Sequence, residues 1–225
     1  AAGLNIGIRR ALPDENYAWI ATFDQDSLVS PGYCETMLSA YAFCPFRDEV
    51  ALIAPRHVLS SKTAAYKPAQ DGPTCQEIPV TLQSGSLFSC SVLKHVGLFD
   101  ESFFIDYVDF DFCLRVRKKG YRIIEATGAT LYHRVGTPTT HTFLNNTCMV
   151  FNHSPVRRYY TVRNRLRVYA RYFMSDPGWI GHDMWSWLKE IVKLVLFEEN
   201  RQEKLAYMAR GGRDALRGRH GIYTK

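Results

Sequence analysis

The chain reads as an α/β protein followed by a basic helical extension, and three observations predict this. Residues 1–150 alternate short apolar, β-prone runs with stretches of helical periodicity, the pattern of an α/β layer structure. The run Tyr17–Phe23 ends in two carboxylates one residue apart, Asp24 and Asp26, where a strand of an open α/β sheet would present its carboxyl end to a ligand. The charge is also uneven. Residues 156–225 hold 15 Lys/Arg against 7 Asp/Glu, a balance of +8, whereas residues 1–155 hold 13 against 15.

Taken in order, the helical pattern over Leu4–Leu12 stops at Pro13, because proline cannot continue a helix. The strand Tyr17–Phe23 follows, and Pro31-Gly32 opens a helix through about Phe43. Val50–Pro55 reads as a buried strand. Residues 60–76, rich in Ser, Lys, Pro, Gln and Gly, read as a mobile loop near the site. Ile78–Leu82 resumes as strand and leads into the turn Ser84-Gly85-Ser86. A short helix over Ser89–Val96 stops at Gly97. Helical spacing of Phe110, Cys113 and Leu114 ends at Gly120 and places Asp109 in a first turn, where the helix dipole favours a carboxylate. Tyr121–Glu125 and Ala129–His133 read as two short strands.

After residue 153 the pattern changes, so the division is a body over 1–153 and an extension over 154–225. Ser154-Pro155 and Asp176-Pro177 each pair an N-cap side chain with proline at the first helical position. They start helices to about Phe173 and Phe197, and a third basic stretch runs from Arg201 to about Arg219. The segment Trp179–Phe197 is interrupted by Asp183, Lys189, Glu190 and Lys193 too often to span a bilayer. Its tryptophans and lysines suit a helix lying in a membrane interface.

With 46% hydrophobic and 22% charged residues the chain can bury an ordinary core, which excludes a disordered or low-complexity protein. Its six cysteines show neither a Cys-x-x-Cys pair nor zinc-ligand spacing, and several lie in apolar segments. They read as free thiols of a reducing compartment, and a cytoplasmic location is expected. The Asp24-x-Asp26 pair alone is weak evidence, since about 0.6 such triplets per chain arise by chance at this Asp content. A solvated loop after a strand would look the same.

The motifs Asp24-Gln-Asp-Ser27, Ser84-Gly-Ser86, Val96-Gly-Leu-Phe-Asp-Glu-Ser-Phe-Phe-Ile-Asp-Tyr-Val-Asp109, Leu131-Tyr-His-Arg-Val-Gly136 and Pro155-Val-Arg-Arg-Tyr-Tyr160 occur in this order. In that order and spacing, over essentially the whole chain, they resemble glycosyltransferase family 2, and within it the rhamnosyltransferase branch that builds bacterial surface polysaccharides. The resemblance implies a GT-A fold: a Rossmann-like mixed sheet flanked by helices. It also implies a nucleotide-diphosphate sugar donor, Mn²⁺ or Mg²⁺, and inversion at the anomeric carbon. By the same resemblance Asp24 and Asp26 match the metal-binding pair, Asp109 the catalytic base, and His133 a histidine that completes the metal and diphosphate site. The acid that normally precedes the base is Val108 here, which makes Asp111 a second candidate. Relatives begin with a strand–helix–strand unit that binds the nucleotide base, and the expectation is that this chain lacks it. Leu4 sits where several relatives carry a base-contacting Arg, and supports no assignment of the donor base.

Transfer of a sugar requires compensation of the leaving diphosphate's charge, deprotonation of the attacking hydroxyl and exclusion of water. A divalent ion at Asp24, Asp26 and His133 would meet the first requirement and Asp109 the second, by general base catalysis. The diphosphate would meet Asp24, Gln25 and Asp26 through the ion, and Arg157, Arg158 and Arg163 directly. By default these arginines read as a solvated helix face, with contact to a diphosphate the alternative. Ser84, Gly85 and Ser86, with Asp106 and Tyr107, are the expected acceptor contacts, although Ser84–Ser86 also fits a plain turn. The expected donor is dTDP-rhamnose, with UDP-galactofuranose the alternative. The expected acceptor is a glycan on a polyprenyl-diphosphate carrier, reached by an enzyme peripheral to the inner face of the cytoplasmic membrane through its C-terminal helices. A metal-dependent nucleotidyltransferase or phosphohydrolase could use the same Asp pair. A nucleic-acid-binding module could use the basic tail, but nothing in residues 1–150 supports it and no nucleic-acid partner is expected.

Overall fold

The computed structural model describes residues 1–59, 75–133, 139–143 and 146–223, and for residues 59, 133, 139–143 and 146–149 it describes the backbone alone. The chain forms two compact units. One comprises residues 1–100 and 109–135, the other 101–108 and 136–225.

The first unit is a mixed sheet with helices packed on it. Its elements in chain order are α1 (Ala2–Ala11), β1 (Trp19–Ala21), β2 (Ser27–Val29), α2 (Tyr33–Ala42), β3 (Val50–Leu59), β4 (Cys75–Glu77), β5 (Leu87–Ser89), α3 (Cys90–Val96), α4 (Val108–Lys118) and β6 (Arg122–His133). The strand order is β1-β5-β3-β6-β2, with β4 also pairing β6. Among the described residues, β3 and β6 run parallel and the other pairs in this sheet are antiparallel. β6 is the organising strand. One of its edges carries β3 along its length, and the other carries first β4 and then β2.

The expected pair of strands at 121–125 and 129–133 is one continuous β6. The partner of Pro55 is Ala126 and the partner of Arg56 is Thr130, so residues 127–129 stand unopposed as a bulge and the pairing resumes beyond them. Residues 78–82, read as strand, are not strand. The flanking strands are Cys75–Glu77, which pairs with β6, and Leu87–Ser89, which lies between β1 and β3; residues 78–82 serve as a connection in which the Thr81 amide donates to the Cys113 sulfur. Of the loop expected over 60–76, residues 60–74 lie outside the described residues, and Cys75-Gln76 belongs to β4.

Two clusters fix the helices. Tyr33, Met37 and Ala40 on one face of α2 pack over Val50, Ile53, Leu87, Ile124 and Ala126 of the sheet. Phe88 of β5, Phe99 and Phe112 of α4 meet with centroids 4.9–5.6 Å apart, and each buried ring contributes about 2–3 kcal/mol. This aromatic triad sets the position of α4 and therefore of its first turn. The five described cysteines in the chain carry free thiols. Burial, with a hydrogen bond donated by its own S–H to Cys44, pushes the Cys75 thiol up to about 12.

The second unit contains β7 (Thr139–Phe143) paired with β8 (Asn146–Val150), then α5 (Pro155–Tyr172), α6 (Pro177–Phe197) and α7 (Arg201–Leu216). Ser154 Oγ accepts from the Arg157 amide and Asp176 Oδ1 from the Trp179 amide, so both Ser-Pro and Asp-Pro start signals operate as caps. α5 and α7 approach so closely at Gly211 that a Cβ there would lie 2.4 Å from the Tyr159 carbonyl oxygen. No described helix is long and apolar enough to cross a membrane.

Candidate active site

The Asp24-Gln25-Asp26 segment forms the turn between β1 and β2, closed by a hydrogen bond from the Ser27 amide to the Asp24 carbonyl at 3.1 Å. All three residues are exposed. The turn is sewn to Ser84-Gly85-Ser86 by a ladder of contacts. The Thr22 amide donates to the Ser86 carbonyl, and the Gly85 amide to the Thr22 carbonyl. The Asp24 amide donates to Ser84 Oγ at 3.0 Å, and Ser27 Oγ meets Ser84 Oγ at 2.8 Å. Gln83 Nε2 donates to the Asp24 carboxylate at 2.6 Å, which fixes that carboxylate's orientation.

Ser84 and Ser86 are 3% and 0% exposed. The structure thus places the Ser-Gly-Ser turn in the interior, where it braces the Asp24–Asp26 turn rather than facing an acceptor. Gly85 has φ +81°, and a Cβ on it would meet Tyr33 Oη at 2.6 Å, Leu131 at 2.8 Å and Pro55 at 3.1 Å. Only glycine satisfies both the left-handed backbone and the packing. Its carbonyl accepts from Tyr33 Oη, whose phenol is held far above its ordinary range by burial. His57 Nε2 reaches the Ser84 carbonyl at 3.0 Å. The sequence reading missed Gln83 and His57, and gave Ser27 no role beyond its place in the motif. Gln83 adjoins a motif already singled out, but its target lies 59 residues away and leaves no local signal.

His133 ends β6 opposite Ser27 of β2, which brings its backbone beside the residue that follows Asp26. The two carboxylates and the histidine position therefore share one end of the sheet. Its side chain, and Arg134–Gly136 of the same motif, lie outside the described residues.

Asp109 occupies the first turn of α4 as expected and is half-buried. Asp111 is 1% exposed and ion-paired to Arg115 at 3.8 Å. Arg115 in turn donates to the Val96 and Leu98 carbonyls. That burial makes Asp111 a structural ion pair and separates it from Asp109 as a candidate base. Cys113, one turn on, has its thiol pushed up to about 12 by burial, with Asp109 adding to the rise.

In the second unit Asp106 and Tyr107 both hold positive φ, +62° and +65°. Consecutive left-handed residues other than glycine are strained and persist only where the surroundings over-determine them. Here α5 supplies the restraint. Asn164 Nδ2 donates to the Ile105 and Asp106 carbonyls at 2.8 and 3.1 Å. Arg157 grips the Asp106 carboxylate through Nη2 at 3.0 Å and Nε at 3.3 Å, and Thr161 Oγ1 donates to it at 2.9 Å. Tyr107 Oη accepts from Arg165 and donates to Asp183 at 2.9 Å, and burial pushes its phenol well above the ordinary range. Tyr107 is thus an interior anchor, not an exposed acceptor contact.

The arginine cluster divides. Arg157 is half-exposed and engaged with Asp106. Arg158 is buried against Glu198, whose other oxygen takes Lys204. Arg163 is 1% exposed, lies over Tyr159 and Tyr160, and donates to the Gly221 carbonyl. Neither a solvated face nor a diphosphate site describes Arg158 and Arg163. They are interior cations whose partners lie 40 and 58 residues away in sequence.

Among the described residues there is no cluster of three His, Cys, Asp or Glu side chains able to hold a metal. Asp24 and Asp26 offer hard carboxylate oxygens on an exposed turn. That donor set fits a divalent ion whose remaining positions are filled by a substrate diphosphate.

No protein-family model matches the chain. It is 32% identical, over 99% of its length and 75% of the relative's, to the dTDP-rhamnosyl transferase RfbF of Shigella flexneri. Among solved structures it aligns over 95% of its length, at TM-score 0.52 and 9% identity, with GalNAc-T7 crystallised with UDP, GalNAc and Mn²⁺. The chain spans 41% of that neighbour, and the likeness supports the GT-A fold alone. The S. aureus TarS fragment 1–349, crystallised with UDP-GlcNAc, aligns over 96% of the chain and 72% of its own at TM-score 0.41 and 11% identity, too distant to add to the argument. By its sequence likeness over nearly its full length, and with a GT-A sheet behind it, the chain belongs to the rhamnosyltransferase-like glycosyltransferases.

Proposed function

We propose that this glycosyltransferase moves L-rhamnose from dTDP-rhamnose, with inversion, to a growing surface glycan on a polyprenyl-diphosphate carrier. The observation that carries the reading is the 32% identity to a dTDP-rhamnosyl transferase across 99% of the chain. The braced Asp24–Asp26 turn and the base position at Asp109 are consistent with it.

Asp24 and Asp26 would hold a Mn²⁺ or Mg²⁺ ion, with His133 completing the set, and the ion would supply charge compensation for the leaving diphosphate. Gln83 holds the Asp24 carboxylate in one orientation, so little reorganisation accompanies donor binding. Asp109 would take the proton of the acceptor hydroxyl as it attacks, a contribution of about 10²–10⁴-fold. The N-terminal turn of α4 favours its ionised form, as a base requires.

α6 supports a place at a bilayer surface. Met184, Trp185, Leu188, Val192 and Leu196 are exposed along one side of it. Lys189 lies 5.3 Å from the Trp185 ring. An apolar side bearing tryptophan and flanked by lysine suits the interface of an anionic membrane.

The test is nucleoside-diphosphate release from a panel of nucleotide sugars with Mn²⁺ or Mg²⁺, beside Asp26→Ala and Asp109→Asn. Turnover of dTDP-rhamnose, abolished in both variants, is the expected result. Preference for UDP-galactofuranose would replace the sugar, and full activity of Asp109→Asn would overturn the mechanism.

A further inference from the structure

At the C-terminal end of α7 the chain turns back and forms a cleft of ≈ 760 Å³, none of whose lining residues is among those proposed for the transfer reaction. Its floor is a buried pair, with Tyr159 Oη donating to Asp214 Oδ2 at 3.0 Å. Arg210, Arg213 and Arg219 line it together with His220. Arg213 and Arg219 share one carboxylate oxygen, Asp214 Oδ1, at 3.5 and 3.6 Å. Arg210 makes its hydrogen bond to a neutral group, Tyr223 Oη, at 3.2 Å. Three guanidinium groups and one carboxylate therefore line the cleft, two of the three paired with that carboxylate, and a net positive charge of two remains before His220 is counted.

The wall opposite α7 is built, not a loose tail. Gly218 and Gly221 take positive φ, +69° and +75°, and turn the chain. The Gly221 carbonyl accepts from the buried Arg163 at 2.8 Å, and the Gly221 amide donates to the Ser102 carbonyl. The Tyr223 amide donates to Tyr160 Oη at 2.7 Å, and the Tyr223 ring packs on Tyr159 at 4.5 Å. A concave wall held by hydrogen bonds at three points keeps the cationic groups gathered although like charges repel.

We propose that this cleft is a binding site for a phosphate-class oxyanion, a diphosphate or the phosphate of a lipid headgroup. Guanidinium forks match tetrahedral phosphate oxygens in bidentate geometry, and an anion there would relieve the mutual repulsion of the arginines. The volume is far larger than one phosphate group and leaves room for the rest of an ester beside Tyr223 and Ile222. The site does not depend on the identity of the sugar donor, and its occupancy is measured without any transfer assay.

Calorimetric titration of the whole chain with pyrophosphate, inorganic phosphate and malonate tests this, beside flotation with phosphatidylcholine vesicles with and without phosphatidylglycerol. Saturable pyrophosphate binding below about 1 mM is expected. It should weaken at least tenfold in Arg210→Gln and in Arg213→Gln/Arg219→Gln. Arg210→Gln leaves the two arginines paired with buried Asp214 in place, so it guards against loss of folding, which a melting curve checks for both. Binding to phosphatidylglycerol vesicles alone, lost in the same variants, supports the headgroup as the source. Malonate binding as tightly as pyrophosphate overturns phosphate recognition. Absence of saturable binding to either phosphate and to anionic vesicles, or binding unaltered by the substitutions, overturns the site.

Discussion

Ser84→Ala isolates the brace beneath the Asp24–Asp26 turn. The hydroxyl is buried and makes two hydrogen bonds, accepting from the Asp24 amide at 3.0 Å and meeting Ser27 Oγ at 2.8 Å. Each such bond is worth about 0.5–1.5 kcal/mol net, so the substitution should remove about 1–3 kcal/mol. For a chain of this size that is a fall of about 2–12 °C in the melting midpoint. A functional effect should accompany the structural one, because the Asp24 amide, freed of Ser84, no longer fixes the turn that carries both carboxylates. Loss of about 1.4 kcal/mol of preorganisation would weaken donor and metal use about tenfold. The assay is donor turnover against metal concentration well below the melting midpoint. Ser91→Ala, which breaks the comparable Ser89–Ser91 contact at 2.9 Å away from the turn, is the control. If Ser84→Ala keeps the parent's metal and donor dependence while losing stability, the brace does not set the geometry of the carboxylates.

Gly211→Ala places a methyl group against backbone that cannot move aside, 2.4 Å from the Tyr159 carbonyl oxygen, and should cost about 3 kcal/mol or more by chemical denaturation. An unchanged denaturation midpoint would refute the close approach of α5 and α7. Tyr107→Phe removes a hydroxyl that joins Arg165 to Asp183, so a loss of about 1–3 kcal/mol is expected on the same assay. His153 has its pKa lowered by burial and by Arg157 and Arg158. The unfolded chain therefore takes up this proton first, and stability falls as pH drops below about 6.5 until the folded pKa is reached. His153→Gln should flatten that limb of the stability profile, and an identical slope in the variant would refute the assignment.

Much of this fold was legible because its signals are local. An apolar run stopping at Asp24, and Ser-Pro and Asp-Pro at helix starts, are decided by neighbours in the chain. β2 escaped because it is three residues long and leaves Leu28 and Val29 exposed, so no alternation marks it. The break read at residues 126–128 reflected a real irregularity, but the parallel neighbour β3 carries the strand past it. The arginines of α5 show the limit most clearly. Arg157, Arg158 and Arg163 look alike in sequence, yet Asp106, Glu198 and the Gly221 carbonyl give them three different environments. Of the candidate site, the turn position of Asp24 and Asp26 and the first-turn position of Asp109 in α4 were readable from local pattern. The buried role of Ser84–Ser86 was not, because burial of a polar turn depends on Tyr33, Leu131 and Pro55 closing over it.

The dependence of the sheet on β6 has a consequence for synthesis on the ribosome. β2, β3 and β4 all take partners from Arg122–His133, and the first two are complete by Leu59. At a translation rate of about 5–20 residues per second, some seventy residues separate the end of β3 from the end of β6, a delay of about 4–15 s. During it the apolar residues Val50–Ala54 have no parallel neighbour to receive them. Expression at lowered temperature, or with chaperone capacity raised, should therefore act on yield through this interval rather than through the stability of the finished enzyme.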